Sequence, residues 1–252
     1  MPQPSAAILA IGDELLSGRT RDANINHLAT WLTERGVALR EARIVSDDEA
    51  AIVDALNAMR AQFDYVFTSG GIGPTHDDIT ADSVAAAFGV GCVESQEALA
   101  LMEKYYAARG QEVTPARRRM TRMPEGARLI HNSVSGAPGV AIENVFVMAG
   151  VPRIFRAMLD AVEGEINGGS VIISQAITAV GLPESRLAEP LAIIQNKTTE
   201  VSIGSYPIDG DELGVTVIVR SESKDLVETT IGAVETAIRS LGFEPTMNDH
   251  KA

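Results

Sequence analysis

With a single cysteine, Cys92, in 252 residues, the chain cannot staple itself with an internal disulfide, and the thiol reads as a small core residue. The histidines, His27, His76, His131 and His250, lack the spacing of a zinc site. Positive charge is scarce as well. Against 34 Asp and Glu there are 21 Lys and Arg, a formal net charge of −13, which argues against a nucleic-acid partner or an anionic membrane surface and makes any phosphate affinity local. No apolar run is long enough to span a membrane, and the run at 6–11 follows no basic segment and ends in Gly-Asp-Glu, unlike a signal peptide. Cytoplasm is therefore the expected location. Hydrophobic residues make up 45%, enough for a soluble fold of one or two domains.

The chain organises around Thr68-Ser69-Gly70-Gly71-Ile72-Gly73-Pro74-Thr75-His76-Asp77-Asp78-Ile79-Thr80, a glycine-rich stretch after an apolar strand (65–69) and before a helix bearing Val84, Ala85 and Phe88. Gly70, Gly71 and Gly73 permit positive φ and close approach of a ligand, Thr80 can cap the helix, and free N–H groups at such a turn attract anions. Asp77 and Asp78 beside an anion hole make sense if a divalent cation bridges them to phosphate. A strand-to-helix turn without ligand reads the same way, its acids stabilising the helix dipole. A Walker A loop is excluded by the missing Gly-Lys-Ser/Thr, and a dinucleotide fingerprint by His76 where a third glycine belongs.

A first strand at 6–11 runs into Gly12-Asp13-Glu14-Leu15-Leu16-Ser17-Gly18, a second candidate site loop. Ile25, Leu28, Ala29 and Leu32 fall at helical spacing before Gly36, and 37–45 is a strand. Ser46-Asp47-Asp48-Glu49 has capping-box spacing before Ile52, Leu56, Met59 and Phe63, so these acids can simply start a helix. The order β-α-β-α-β-α with aliphatic strands predicts an α/β fold with a mostly parallel sheet covered on both faces, its ligands gathering beyond the carboxyl ends of the strands. That rule brings Asp13, Glu14, Asp47, Asp77 and Asp78 toward the glycine-rich loop.

A helix at 95–109 and a short one from Thr114-Pro115 follow, the latter bearing Arg117, Arg118, Arg119 and Arg122, which read as a solvated face or as a phosphate or subunit contact. Strands at 140–142 and 145–149 pair through Glu143-Asn144, and Pro152 opens a helix. Gly168-Gly169 reads as a hinge between domains at 1–168 and 169–252. The second reads β-α-β-β-α, a small α+β domain, with a frayed tail after Phe243.

Three stretches, Gly12 to Gly18, Gly70 to Thr80, and Asn132 with Gly136-Ala137-Pro138-Gly139, resemble the competence/damage-inducible protein A (CinA) family. The resemblance implies a three-layer MoaB/Mog-like domain, also found in molybdopterin-binding proteins and beside eukaryotic FAD synthetase, followed by a small domain described as KH-like. Glu184-Ser185-Arg186-Leu187 and Ile203-Gly204-Ser205-Tyr206-Pro207 are similar to that second domain. The chain departs from the family at Ala149, where Pro is usual, and has no GxxG loop in 170–252, where six Lys/Arg face twelve Asp/Glu, a net −6. RNA binding is accordingly not expected. The family's carboxy-terminal amidohydrolase domain, which acts on nicotinamide mononucleotide, has no counterpart in these 252 residues, and that activity is not expected.

What the resemblance implies is a metal-dependent pyrophosphatase acting on ADP-ribose or a related nucleotide diphosphate, with molybdopterin binding or adenylylation as the alternative and a non-catalytic binding module as a third. The catalytic residues it implies are Asp47 and Asp78. The nucleotide would be bound by Gly12, Asp13, Glu14, Gly70, Gly71, Gly73, Thr75, Asn132, Gly136 and Pro138. A divalent metal (Mg, Mn or Co) would sit on Asp13, Asp47, Asp77 and Asp78, with room for a monovalent cation besides. Cofactor-synthesis relatives usually have Arg-Asp where this chain has Asp77-Asp78, and the extra negative charge favours a metal. The expected partners are a small-molecule nucleotide or pterin and a second copy in a homodimer.

Overall fold

Strand β1 (Ser5–Ile11) is buried at every position from Ala6 onward, as a strand covered on both faces must be. Ala6 and Ile8 point into one apolar layer, Ala7, Leu9 and Ile11 into the other. The computed structural model describes residues 3–208 and 213–248, in two units that divide between Gly169 and Ser170.

The first unit continues with α1 (Asp13–Leu16), α2 (Asn24–Thr33), β2 (Ala38–Val45), α3 (Glu49–Gln62), β3 (Tyr65–Ser69) and α4 (Thr80–Phe88). After these come β4 (Cys92–Glu94), α5 (Gln96–Ala107), α6 (Pro115–Arg118), a 3-10 turn (Arg119–Thr121), β5 (Arg122–Pro124), β6 (Arg128–Ile130), β7 (Gly139–Ile142), β8 (Val145–Met148) and α7 (Pro152–Val162). Six strands form one sheet in the order β2-β1-β3-β8-β7-β6, parallel through β8 and antiparallel beyond it. Leu28, Leu32, Phe155, Met158 and Leu159 cover the face bearing Ile8, Phe67 and Phe146, whose rings stack with centroids 5.2 Å apart. Ile52, Leu56, Met59 and Val84 cover the other. This is the expected three-layer α/β architecture. β4 and β5 pair as a separate two-stranded sheet that the sequence pattern did not reveal.

From β1 the chain crosses to β2 on one side, and β3 lies on the other, so the strand order reverses at β1. A crevice opens at such a reversal, beyond the carboxyl ends of the strands. Its walls are the connections after β1, β2, β3 and β8, joined by hydrogen bonds from Gly12 N to Val45 O at 3.1 Å and from Gly70 N to Met148 O at 3.1 Å.

The second unit is β9 (Ile173–Val180), α8 (Glu184–Lys197), β10 (Ser202–Pro207), β11 (Gly214–Ser221), α9 (Lys224–Ser240) and β12 (Pro245–Asn248). Of the tail expected to fray after Phe243, Pro245–Asn248 form β12, an edge strand antiparallel to β9, and 249–252 lie outside the described residues. The four strands run β10-β11-β9-β12, and Ile177, Val215, Val217 and Val219 meet Leu187, Leu191, Val227, Ile231 and Val234 in one core. Among the described residues no helix is long and apolar enough to cross a membrane.

Candidate functional site

The glycine-rich connection is fixed by its own side chains. Asp78 Oδ1 accepts the Gly73 N–H at 2.6 Å, and Oδ2 accepts the Thr75 N–H at 2.7 Å together with the Thr75 hydroxyl. Thr80 does not cap α4, since Ile79 holds the cap position; its buried hydroxyl donates to Gly70 O at 3.0 Å while its N–H reaches Gly71 O at 3.0 Å. Gly71 has φ +66°, and a β-carbon there would lie 2.1 Å from Thr80 Oγ1, so the turn is built for glycine. The Gly73 and Thr75 amides are committed to Asp78, whereas the N–H groups of Gly71 and Ile72 have no protein acceptor among the described residues. Both residues face open space.

That space is a cavity of about 510 Å³ lined by Glu14, Thr20, Gly70 through Pro74 and Asp78 on the loop side. Tyr106, Met120, Ser135, Ala137, Ala149, Gly150, Val151, Pro152, Ile154 and Met158 line the rest, most of them apolar. Such a lining suits a flat ring with a charged substituent. The sequence reading missed Tyr106, Met120, Ile154 and Met158 because apolar residues at helical spacing signal core and cavity wall alike. It also missed Asn24, buried at the start of α2, whose Nδ2 donates to Ser69 Oγ at 2.7 Å and to Gly150 O at 2.8 Å. Asn24 Oδ1 has no partner. The signal was there: Asn24 precedes Leu28 and Trp31 on the same buried face.

The acids separate by role. Asp48 caps α3, accepting the Ala51 N–H at 2.9 Å, whereas Asp47 turns back to accept the Asp13 N–H at 2.9 Å. Gly12 to Ser17 is less a loop than one helical turn, α1, which carries Asp13 and Glu14. Burial foremost, and then the nearby carboxylates of Asp13, Glu14 and Asp77, hold the Asp47 carboxyl above the usual carboxylate range against the pull of the Asp13 N–H. Asp77 is pulled the other way, chiefly by the Thr75 hydroxyl.

Several of the expected site residues also carry structural contacts. Asp78, expected as a catalytic metal ligand, spends both oxygens on the loop. Among the described residues no three of His, Cys, Asp or Glu converge as a metal cage, so Asp13, Asp47, Asp77 and Asp78 do not form one. Asn132 braces its own loop, donating to Ser135 Oγ and Ala137 O at 2.7 Å each and accepting from Val134 N and Ser135 N. Gly136 has φ +74° and lies so close to Tyr105 that a β-carbon would sit 2.3 Å from the ring. With Pro138, Asn132 and Gly136 line a second cavity of about 420 Å³ beside Lys104 and His131, while their neighbours Ser135 and Ala137 reach the first.

Residues 7–166 match the family described as probable molybdopterin binding domain, and residues 173–245 match the middle domain of FAD synthase. The second match replaces the expected KH-like label for the small unit. A protein of Pyrobaculum calidifontis is 32% identical over 250 residues, covering 94% of each chain. A CinA-like protein of Desulfosudis oleivorans is 36% identical over 197 residues, 74% of this chain and 48% of that one. The crystal structure of the protein CinA from Thermoplasma acidophilum superposes with a TM-score of 0.60 at 35% identity, covering 64% of this chain and 97% of that one.

Proposed function

Because the chain belongs to the molybdopterin-binding domain family, with CinA-like relatives, we propose that the crevice over β1 and β3 binds a phosphorylated small molecule and hydrolyses a nucleotide diphosphate of the ADP-ribose type. One observation carries this reading: Gly71 and Ile72, whose N–H groups are unpaired, line a cavity that Tyr106, Met120, Ile154 and Met158 also line. Amides held in place by the Asp78 brace need no reorganisation to receive phosphate oxygens. The base or pterin ring lies against Ile154, Met158 and Tyr106.

Asp47 is the candidate base. Its raised proton affinity brings it nearer to neutrality, and Oδ1 is free to take a proton from water while Oδ2 holds the Asp13 N–H. The donor set suits a divalent ion that arrives with the diphosphate, since such ions need one or two carboxylates and complete their shell with substrate oxygens and water. Asp77, together with the diphosphate's own oxygens, would hold it, and the ion would neutralise charge and acidify a bound water. Asp78 orders the loop.

Turnover assayed over ADP-ribose, FAD, NAD and diadenosine diphosphates, with Mg, Mn and Co supplied in turn, tests the proposal. Release of AMP from at least one substrate is the expected result, and no turnover with any pairing rejects the hydrolase reading. Tight binding of a pterin phosphate without turnover would favour a binding role in cofactor synthesis.

A further inference from the structure

The four clustered arginines of this acidic chain are not equivalent in the fold. Arg117 lies 4.0 Å over the Tyr106 ring and donates to Glu112 O and Gln111 Oε1, each at 2.8 Å. Arg118 grips Glu94 with two nitrogens at 2.6 and 2.7 Å, and Arg122 grips Asp82 on α4 at 2.9 and 2.5 Å. Arg119 makes no side-chain hydrogen bond, ion pair or ring contact among the described residues.

Its position gives it a use. Arg119, Met120 and Arg122 line a narrow cleft of about 30 Å³ together with Gly71, Ile72, Gly73 and Asp78. That is room for one or two atoms the size of water. The Arg122–Asp82 pair ties the turn bearing Arg119 to α4, the helix that the glycine-rich loop leads into, so the turn and the loop share one support. Glu14 lines the 510 Å³ cavity, and Asp13, Glu14 and Asp77 place further negative charge near Asp47. Among the residues lining the narrow cleft and the 510 Å³ cavity, Arg119 is the sole cation without a protein partner.

We propose that Arg119 is the side chain that binds the phosphate held by the Gly71 and Ile72 amides, an assignment that rests on the phosphate-binding reading of this loop. A guanidinium offers paired N–H groups to phosphate oxygens and offsets the acids around them. It makes the site selective for the charged substituent while the apolar wall takes the ring. The fit is to a phosphate ester or diphosphate, and a neutral nucleoside gains nothing from Arg119.

Calorimetry on the full chain with ADP-ribose, AMP and adenosine tests this, comparing the parent with Arg119→Ala, Arg119→Lys and, as a control for net charge, Arg239→Ala. Loss of a charge-assisted hydrogen bond predicts that Arg119→Ala weakens ADP-ribose and AMP by about ten- to a hundredfold. Adenosine affinity and melting temperature should stay at parent values. Arg119→Lys should recover part of the loss, and Arg239→Ala should show none. Parent affinity for ADP-ribose in Arg119→Ala overturns the inference alone, as does an equal loss for adenosine, which would mark a structural role. If the parent binds neither ADP-ribose nor AMP, the phosphate-binding reading of the loop falls first and the inference with it.

Discussion

Asp78 Oδ1 accepts the Gly73 N–H at 2.6 Å, five residues back along the same loop, and this bond shapes the site. A β-carbon on Gly73 would lie 2.6 Å from Asp78 Oδ2, so the carboxylate occupies the inside of the turn that its charge was expected to serve from outside.

Asp78 therefore acts through the loop. Asp78→Ala leaves the Gly73 and Thr75 amides without their acceptor and should cost about 1–3 kcal/mol of stability together with most ligand affinity. Thermal melts beside calorimetry check it. Lost turnover with unchanged melting temperature and affinity would return Asp78 to the chemistry.

Asp47 makes the opposite prediction. Burial and then its acidic neighbours raise its proton affinity, so the native state keeps this proton to higher pH than the unfolded chain does. Stability is thus lost as pH rises through the native titration, and at neutral pH the whole cost is present. Asp47→Asn keeps an oxygen for the Asp13 N–H but cannot ionise. The variant should melt above the parent at pH 7, by less than about 1 kcal/mol for a site open to solvent. That gain should vanish below pH ~3, where the parent carboxyl is also protonated. Turnover should be lost. Melts across pH 3–8 measure the difference, and a variant less stable at pH 7 would contradict it.

Gly71 and Gly18 share a left-handed backbone, with φ +66° and +71°, but a β-carbon on Gly18 meets nothing within 4 Å. Gly18→Ala should cost about 1 kcal/mol from backbone strain alone. Gly71→Ala must also displace the Thr80 hydroxyl from Gly70 O and should cost more while abolishing ligand binding. Equal costs in chemical denaturation would show that the Gly71–Thr80 contact yields freely.

Burial, and secondly the Asp82 carboxylate, push the Cys92 thiol up to about 11. Little thiolate exists at pH 8, so the native protein should react with a disulfide reagent far more slowly than in denaturant. Matching rates in the two conditions would contradict the raised value.

These residues also mark what the sequence could disclose. Strand periodicity in 6–11 and 65–69, together with glycine placement, was enough to locate the crevice, because burial on both faces and positive φ leave direct traces in residue type. Which way a carboxylate faces leaves no such trace. Asp47 and Asp48 are identical neighbours, yet one caps a helix and the other reaches α1, a choice made by tertiary distance. Asn132 and Gly136 shape one loop and read equally as ligand contacts, because a turn former and a ligand binder are the same residue types. The β12 strand escaped notice because its partner, β9, lies about seventy residues earlier in the chain.

Asn24 offers the last test, since it links the two strand ends that frame the crevice. Its amide joins Ser69 at the end of β3 to the carbonyl of Gly150 after β8, and a β-carbon on Gly150 would come within 3.2 Å of Gly70 Cα. The contact is close enough that separating those ends would move Gly70 and the amides that follow. Asn24→Ala removes one buried and one half-buried hydrogen bond and leaves the Gly150 carbonyl without this donor, while relieving Asn24 Oδ1, which has no partner to lose. The net cost should be about 1–3 kcal/mol. Asn24→Leu fills the space but restores no donor, so packing alone should not rescue it. If the amide positions the loop, both variants lose ligand affinity along with stability, and amide exchange quickens first at Gly70, whose N–H donates to Met148 O. If Asn24→Leu instead matches the parent in stability and affinity, the Ser69–Asn24–Gly150 link is dispensable and the packing of α2 alone holds the crevice in shape.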